Sequence, residues 1–186
     1  MERHRDERKK QPRVKPTAPQ TPAAAVPHGI APRNEDPFFH SGMLYQNAGN
    51  LPAAAACFNR SLQRKPSPEA FTQLGSVLGL MGDLDAAITQ CRKAVDLNPE
   101  FGVAWNDLGF YYIEKHSYDD AEKCLQKAIS ARIPGPQAQI YYNLSRCQAS
   151  RGMVGAALSA IENSLLHDPK AKRAREVRDE LARFLH

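Results

Sequence analysis

A chain of 186 residues can bury one ordinary core, and its formal charge of +5 would point to an anionic partner if it were evenly spread. It is not: residues 1–33 hold eight Lys and Arg against three acids, while residues 34–186 hold seventeen of each, so the bulk of the chain is neutral, which argues against nucleic acid as a partner. No run approaches the ~18 apolar residues of a membrane-spanning helix, and the four cysteines lack a C-x-x-C pair, which argues against a zinc site or a disulfide framework.

Residues 1–33 carry six prolines between Pro12 and Pro32, and their one apolar cluster is Ala23 to Val26. That is too little apolar area to offset backbone ordering, so a disordered, basic, proline-rich arm is expected. A solubilising tail is favoured over contact with RNA or acidic lipid. Glu2, Asp6 and Glu7 stand among its arginines and no apolar h-region follows, which argues against a secretory signal or transit peptide and for a cytoplasmic protein.

From residue 34 onward one set of residue types returns four times. An aromatic (Phe38, Phe71, Trp105, Tyr141) precedes a small residue (Gly42, Gly75, Gly109, Ser145) and then an alanine (Ala54, Ala87, Ala121, Ala157), each series stepping by 33, 34 and 36 residues. Three anchors shifting together define an array of one supersecondary unit. In the first unit Asp36-Pro37 opens a helix, Gly49 closes it, and Asn50-Leu51-Pro52 opens a second that ends by Pro66. In the second, Ser67 caps, Phe71, Leu74, Leu78 and Met81 follow at helical spacing to Gly82, and Asp83 caps a partner helix stopped at Asn98-Pro99. The third has Ser117 and Asp120 spaced like a capping box. Before the fourth, Ile133-Pro134-Gly135-Pro136-Gln137 carries two extra residues and is expected to bend the array. Gly152 then separates the last pair, and Ala174, Val177, Leu181, Phe184 and Leu185 form the stripe of a helix over 172–186 that covers the open end.

Glycine inside a helix costs about 1 kcal/mol against alanine, so its recurrence implies a helix–helix approach too close for a β-carbon, with the recurring alanine opposite. Cys57, Cys91 and Cys124 follow the same step and read as core thiols.

Trp105-x-x-Leu108-Gly109-x-x-Tyr112 with Ala121, Leu125 and Ala128 resembles the tetratricopeptide repeat signature, and Phe71, Leu74, Gly75, Leu78, Ala87, Ala94 and Pro99 resemble it almost as well. The first unit departs from it at Ser41, and the fourth at Ser145 and Gln148. The resemblance spans residues 35 to about 171. It implies an all-α, right-handed superhelical solenoid of four helix-turn-helix repeats over 34–171 with a C-terminal capping helix, whose first helices line a concave, partner-binding groove.

On that geometry the groove presents Phe39, His40, Met43, Gln73, Asn106, Asp107, Phe110, Tyr142, Asn143 and Arg146 as partner-binding residues. His40, Gln73, Asp107 and Asn143 occupy equivalent sites, similar to the amide ladder of the O-linked N-acetylglucosamine transferase repeats, and would bond a peptide backbone while Phe39, Met43, Phe110 and Tyr142 meet its side chains. The lysine, asparagine and arginine clamp with which co-chaperones of this family hold acidic tails is missing. Asp36, Glu69, Asp107 and Glu114 outnumber Arg146, which favours a neutral or basic segment.

The expected function is therefore a protein-interaction adaptor. A client-specific chaperone and, less favoured, an RNA-binding helical repeat remain alternatives, and the basic arm could itself fold into the acidic groove. The six histidines show no i, i+4 pairing, and no phosphate-binding or nucleophile-elbow motif occurs, so no catalysis, metal or cofactor is expected.

Overall fold

A computed structural model describes residues 36–184. The arm expected over 1–33 and Leu185 of the terminal stripe lie outside the described residues. Among those described there are nine helices and no strand: α1 (Pro37–Asn47), α2 (Leu51–Arg64), α3 (Pro68–Leu80), α4 (Leu84–Leu97), α5 (Gly102–Glu114), α6 (Tyr118–Ser130), α7 (Gln137–Ser150), α8 (Val154–His167) and α9 (Lys172–Arg183). Each odd helix pairs with the next even one, each pair packs on its successor, and α5 also touches both α3 and α7 directly. The result is a right-handed superhelical solenoid of four helix pairs with α9 closing its C-terminal end.

Local chemistry sets the boundaries. Asp36, Asn50, Ser67 and Asp83 each accept a backbone N–H at their helix start, and Pro37, Pro52 and Pro68 occupy the first turns. Ser117 makes no capping bond, so the capping box expected there is absent. The turn inside each pair needs one left-handed residue: Gly49, Gly82 and Gly152 supply it at φ +75°, +89° and +75°, and in the third pair His116 does so at φ +58°.

The small residues sit where the helices of a pair touch. A β-carbon on Gly75 would lie 2.8 Å from Cys91 Sγ and 3.2 Å from the Ala87 carbonyl oxygen, and one on Gly109 would lie 2.6 Å from Leu125 Cγ. In the fourth pair the same place holds Ser145, fully buried, whose hydroxyl donates to the Ala157 carbonyl at 2.8 Å. A hydroxyl therefore uses the alanine carbonyl that the glycines merely approach.

The core runs along the axis as four linked clusters, centred on Phe58 and Leu74, on Leu108 and Cys91, on Leu125 and Ile140, and on Ile161 with Ala174. Burial pushes the Cys124 and Cys147 thiols up to about 11 and Cys91 higher still; Cys91 and Cys124 are core thiols as expected, whereas Cys57 of the same series is half-buried. The capping helix buries Ala174 and Leu181 against the fourth pair, whereas Phe184, assigned to the same stripe, is 78% exposed because it follows the last helical turn.

The insert before α7 is clamped in place. Gly102 N–H donates to the Ile133 carbonyl at 2.8 Å, Ile133 N–H to the Glu100 carbonyl at 3.0 Å, and Arg132 N–H to the Glu100 carboxylate at 3.0 Å. Its extra residues are absorbed in a backbone bridge to the preceding inter-repeat turn.

Candidate functional site

The candidate wall is formed by α1, α3, α5 and α7, on which equivalent positions recur at the 33, 34 and 36 residue step. At its N-terminal end Phe39 and Met43 are half-buried and His40 is exposed. With Asp36, Ser61, Lys65, Ser67 and Glu69 they line a hollow of 320 Å³ between α1 and α3. Phe39 is held edge-on against the buried Phe58 ring at 5.6 Å, so its position is fixed by the core beneath. Gln73 is half-buried on α3, and its neighbour Thr72 turns inward, donating to the Pro68 carbonyl at 2.7 Å.

Toward the C-terminal end the polar residues face one another. Gln139 Nε2 donates to Asn143 Oδ1 at 3.1 Å, Asn143 Nδ2 to Asn106 Oδ1 at 3.0 Å, and Asn106 Nδ2 to Asp107 Oδ1 at 3.2 Å. Asn106 and Asn143 are only 4% and 1% exposed. The structure thus buries these two amides and bonds them across the α5–α7 junction, whereas the sequence reading presents them to a partner. The physical reason is the direct contact of α5 with α7, which leaves an amide there the choice of a neighbour or no partner.

Asp107 ends this series. It is half-buried, and removal from water pushes its carboxyl up to about 7, against the opposing effect of the Asn106 hydrogen bond. Tyr111 beside it is raised as well, by burial and then by the charges of Asp107 and Cys91, and its hydroxyl donates to the Gly75 carbonyl at 3.2 Å, tying α5 to α3.

One turn on, Phe110 is half-buried under the Arg146 guanidinium, whose Cζ is 5.7 Å from the ring centroid, and Arg146 also donates to Glu114 at 2.8 Å. Tyr142 lies under Arg173 of α9 at 5.9 Å and borders a smaller hollow with Gln139 and Ser164. Sequence reasoning missed Gln139 and Arg173. Gln139 follows Asp36, Glu69 and Val103 in the repeat register and was legible there; Arg173 was not, since its place depends on how α9 folds back. A larger cleft of 520 Å³ opens on the side of the second helices, bounded by Arg92, Trp105, Tyr112, Lys123 and Lys127, with Lys127 Nζ 4.2 Å above the Trp105 ring.

Among the described residues no three His, Cys, Asp or Glu stand together as a metal site, and no helix is long and apolar enough to cross a membrane.

Two tetratricopeptide repeat profiles match the chain, one over residues 68–101 and the other over 106–176. The chain belongs to the tetratricopeptide repeat family. Proteins of this family mediate contacts between proteins, and their fold is typically a scaffold without catalysis of its own. One relative is the probable UDP-N-acetylglucosamine–peptide N-acetylglucosaminyltransferase SPINDLY of Hordeum vulgare, 29% identical over 111 residues, 55% of this chain and 12% of that protein. The repeats thus align with a small part of a much longer enzyme. Among solved structures, PilF of Pseudomonas aeruginosa superposes with a TM-score of 0.73 at 20% identity, covering 77% of this chain and 65% of that one. YrrB, described as a tetratricopeptide repeat protein with an unusual peptide-binding site, superposes with a TM-score of 0.64 at 19% identity, covering 76% and 73%. At these identities the likeness concerns the fold.

Proposed function

We propose that this repeat array is an adaptor whose concave wall takes an extended peptide segment of a partner protein. The observation that carries this reading is the row of half-buried apolar side chains Phe39, Met43, Phe110 and Tyr142 along the first helices, with Phe39 and Met43 resting on core and a guanidinium over each of the Phe110 and Tyr142 rings. Rigid, partly open apolar surface gains by burial under a ligand at little ordering cost. The peptide-binding site named for YrrB lends the reading support by analogy. A neutral or basic segment suits the wall better than an acidic tail: Arg146 is already held by Glu114, and Glu69 and Asp107 have no ion-pair partner among the described residues.

The test is a crosslinking pull-down with the full chain beside its Phe110→Ala/Tyr142→Ala variant, after circular dichroism has shown both to be folded. Prey captured by the wild type and lost from the variant supports the groove. Prey retained at equal yield rejects it and moves the contact to the second-helix side.

A further inference from the structure

The groove floor contains a carboxylate oriented by the protein and left partly unused. Three amides line up head to tail from Gln139 through Asn143 and Asn106, each donating toward the next, and the series terminates on Asp107 Oδ1. A hydrogen-bond chain of one polarity strengthens along its length and holds its last acceptor in place. Asn106 is the one side-chain donor to Asp107 among the described residues. Asp107 Oδ2 accepts no hydrogen bond from a described residue and is not among the partnerless side-chain oxygens sealed from solvent, which are Gln46 Oε1 and Gln148 Oε1, so it keeps access to solvent.

No protein cation neutralises it. Arg146, on the adjacent helix, is engaged by Glu114 and the Phe110 ring. The titratable groups that sense the charge of Asp107 are the Cys91 thiol and the Tyr111 hydroxyl, both neutral at ordinary pH. Phe110 lies three residues along the same helix face, within reach of one extended side chain's neighbour.

We infer that Asp107 is the specificity-determining residue of the groove and receives a lysine or arginine side chain of the bound peptide, with an adjacent apolar residue of that peptide resting on Phe110. The inference rests on the groove reading above and deepens it. A desolvated carboxylate with one open oxygen discriminates strongly, because an acidic or apolar residue placed there leaves it unpaired. The cation is held by a charge-assisted hydrogen bond, and the amide series behind Asp107 keeps that oxygen facing the ligand.

Such a contact requires the ionised carboxylate. Among groups on the helices around it, Cys91 of α4 and Tyr111 of α5 do not titrate between pH 6 and 8, Glu114 and Arg146 are bonded to each other, and α3 contributes the uncharged Thr72 and Gln73 with Glu69 in its first turn. A carboxyl titrating near 7 loses about tenfold in ionised fraction from pH 8 to pH 6.

The experiment applies the full chain to an array of synthetic random-sequence dodecapeptides and scores the composition of the bound set. Asp107→Asn and Phe110→Ala variants, checked for fold by circular dichroism, run beside it. Expected are a bound set enriched about threefold in Lys and Arg, loss of that enrichment in Asp107→Asn with the apolar preference kept, and an affinity for the best lysine peptide that falls about tenfold from pH 8 to pH 6 in the wild type alone. Unchanged enrichment in Asp107→Asn, a pH profile shared by both proteins, or a bound set rich in Asp and Glu overturns the inference while binding lost in Phe110→Ala still supports the groove. Binding unaffected by Phe110→Ala, or no binding above background, overturns both readings.

Discussion

The junction between α1 and α3 and that between α5 and α7 come from the same repeat grammar yet are finished differently. At the first, one side-chain bond joins the two helices, from Gln46 Nε2 to Ser76 at 3.3 Å, and a hollow stays open beside Phe39 and Met43. At the second, Asn143 and Asn106 meet in the floor and Arg146 reaches both Glu114 and Phe110. Backbone periodicity therefore shapes a groove, and the side chains at equivalent positions decide whether a stretch of it is open pocket or internal framework.

The largest effect that would break the comparison lies under the open end. Phe58 is fully buried, faces Gly42 and supports Phe39, so Phe58→Ala is expected to cost about 3–5 kcal/mol locally. Because each pair is stabilised mainly by its neighbours, hydrogen exchange should speed up in α1 and α2 while α5 to α8 keep their protection. Uniform loss along the chain would show the two junctions to be one cooperative unit.

Next comes the closed end. Asn143→Ala leaves Asn106 Oδ1 buried without its donor, an expected loss of about 1–3 kcal/mol in chemical denaturation. The double replacement of Asn106 and Asn143 by alanine should cost less than the sum of the singles, and strict additivity would mean that the bond is not coupled.

A smaller effect depends on pH. Asp107 keeps its proton up to about 7 in the fold, whereas an unfolded aspartate loses it near about 4. The folded chain thus binds the extra proton between these values; the associated stability is present at low pH and is lost as pH rises through 7. Asp107→Asn should raise stability by on the order of 1–2 kcal/mol at pH 8, since the carboxyl is partly open to solvent, and by almost nothing near pH 4. Melting curves at the two pH values check this sign.

The smallest is Gln46→Ala. It removes a long bond together with an unpaired buried carbonyl oxygen, so stability should change by no more than about 0.5 kcal/mol. A loss as large as that of Asn143→Ala would erase the contrast between the two ends.

Much of the fold is legible in the sequence. The caps at Asp36, Asn50, Ser67 and Asp83 and the proline positions were readable because they act within one turn. Ser117 was misread because spacing alone does not put its hydroxyl on a backbone N–H. The candidate wall was legible as a set of positions, since register assigns Phe39, Met43, Phe110 and Tyr142 to one face. Which polar members of that face are exposed was not legible: Thr72, Asn106 and Asn143 are buried, while His40 is open.

The sequence by itself determined the repeat, the helix ends and the close contacts of Gly75 and Gly109 with the second helices, because these follow from periodicity and from the size of one side chain. Tertiary structure alone decided that Asn106 bonds Asn143, 37 residues away, that the insert at Ile133 is clamped to Glu100 and Gly102, and that the amide series from Gln139 ends on one oxygen of Asp107. Those outcomes depend on how closely the first helices of successive pairs approach, and that distance is set by the whole stack.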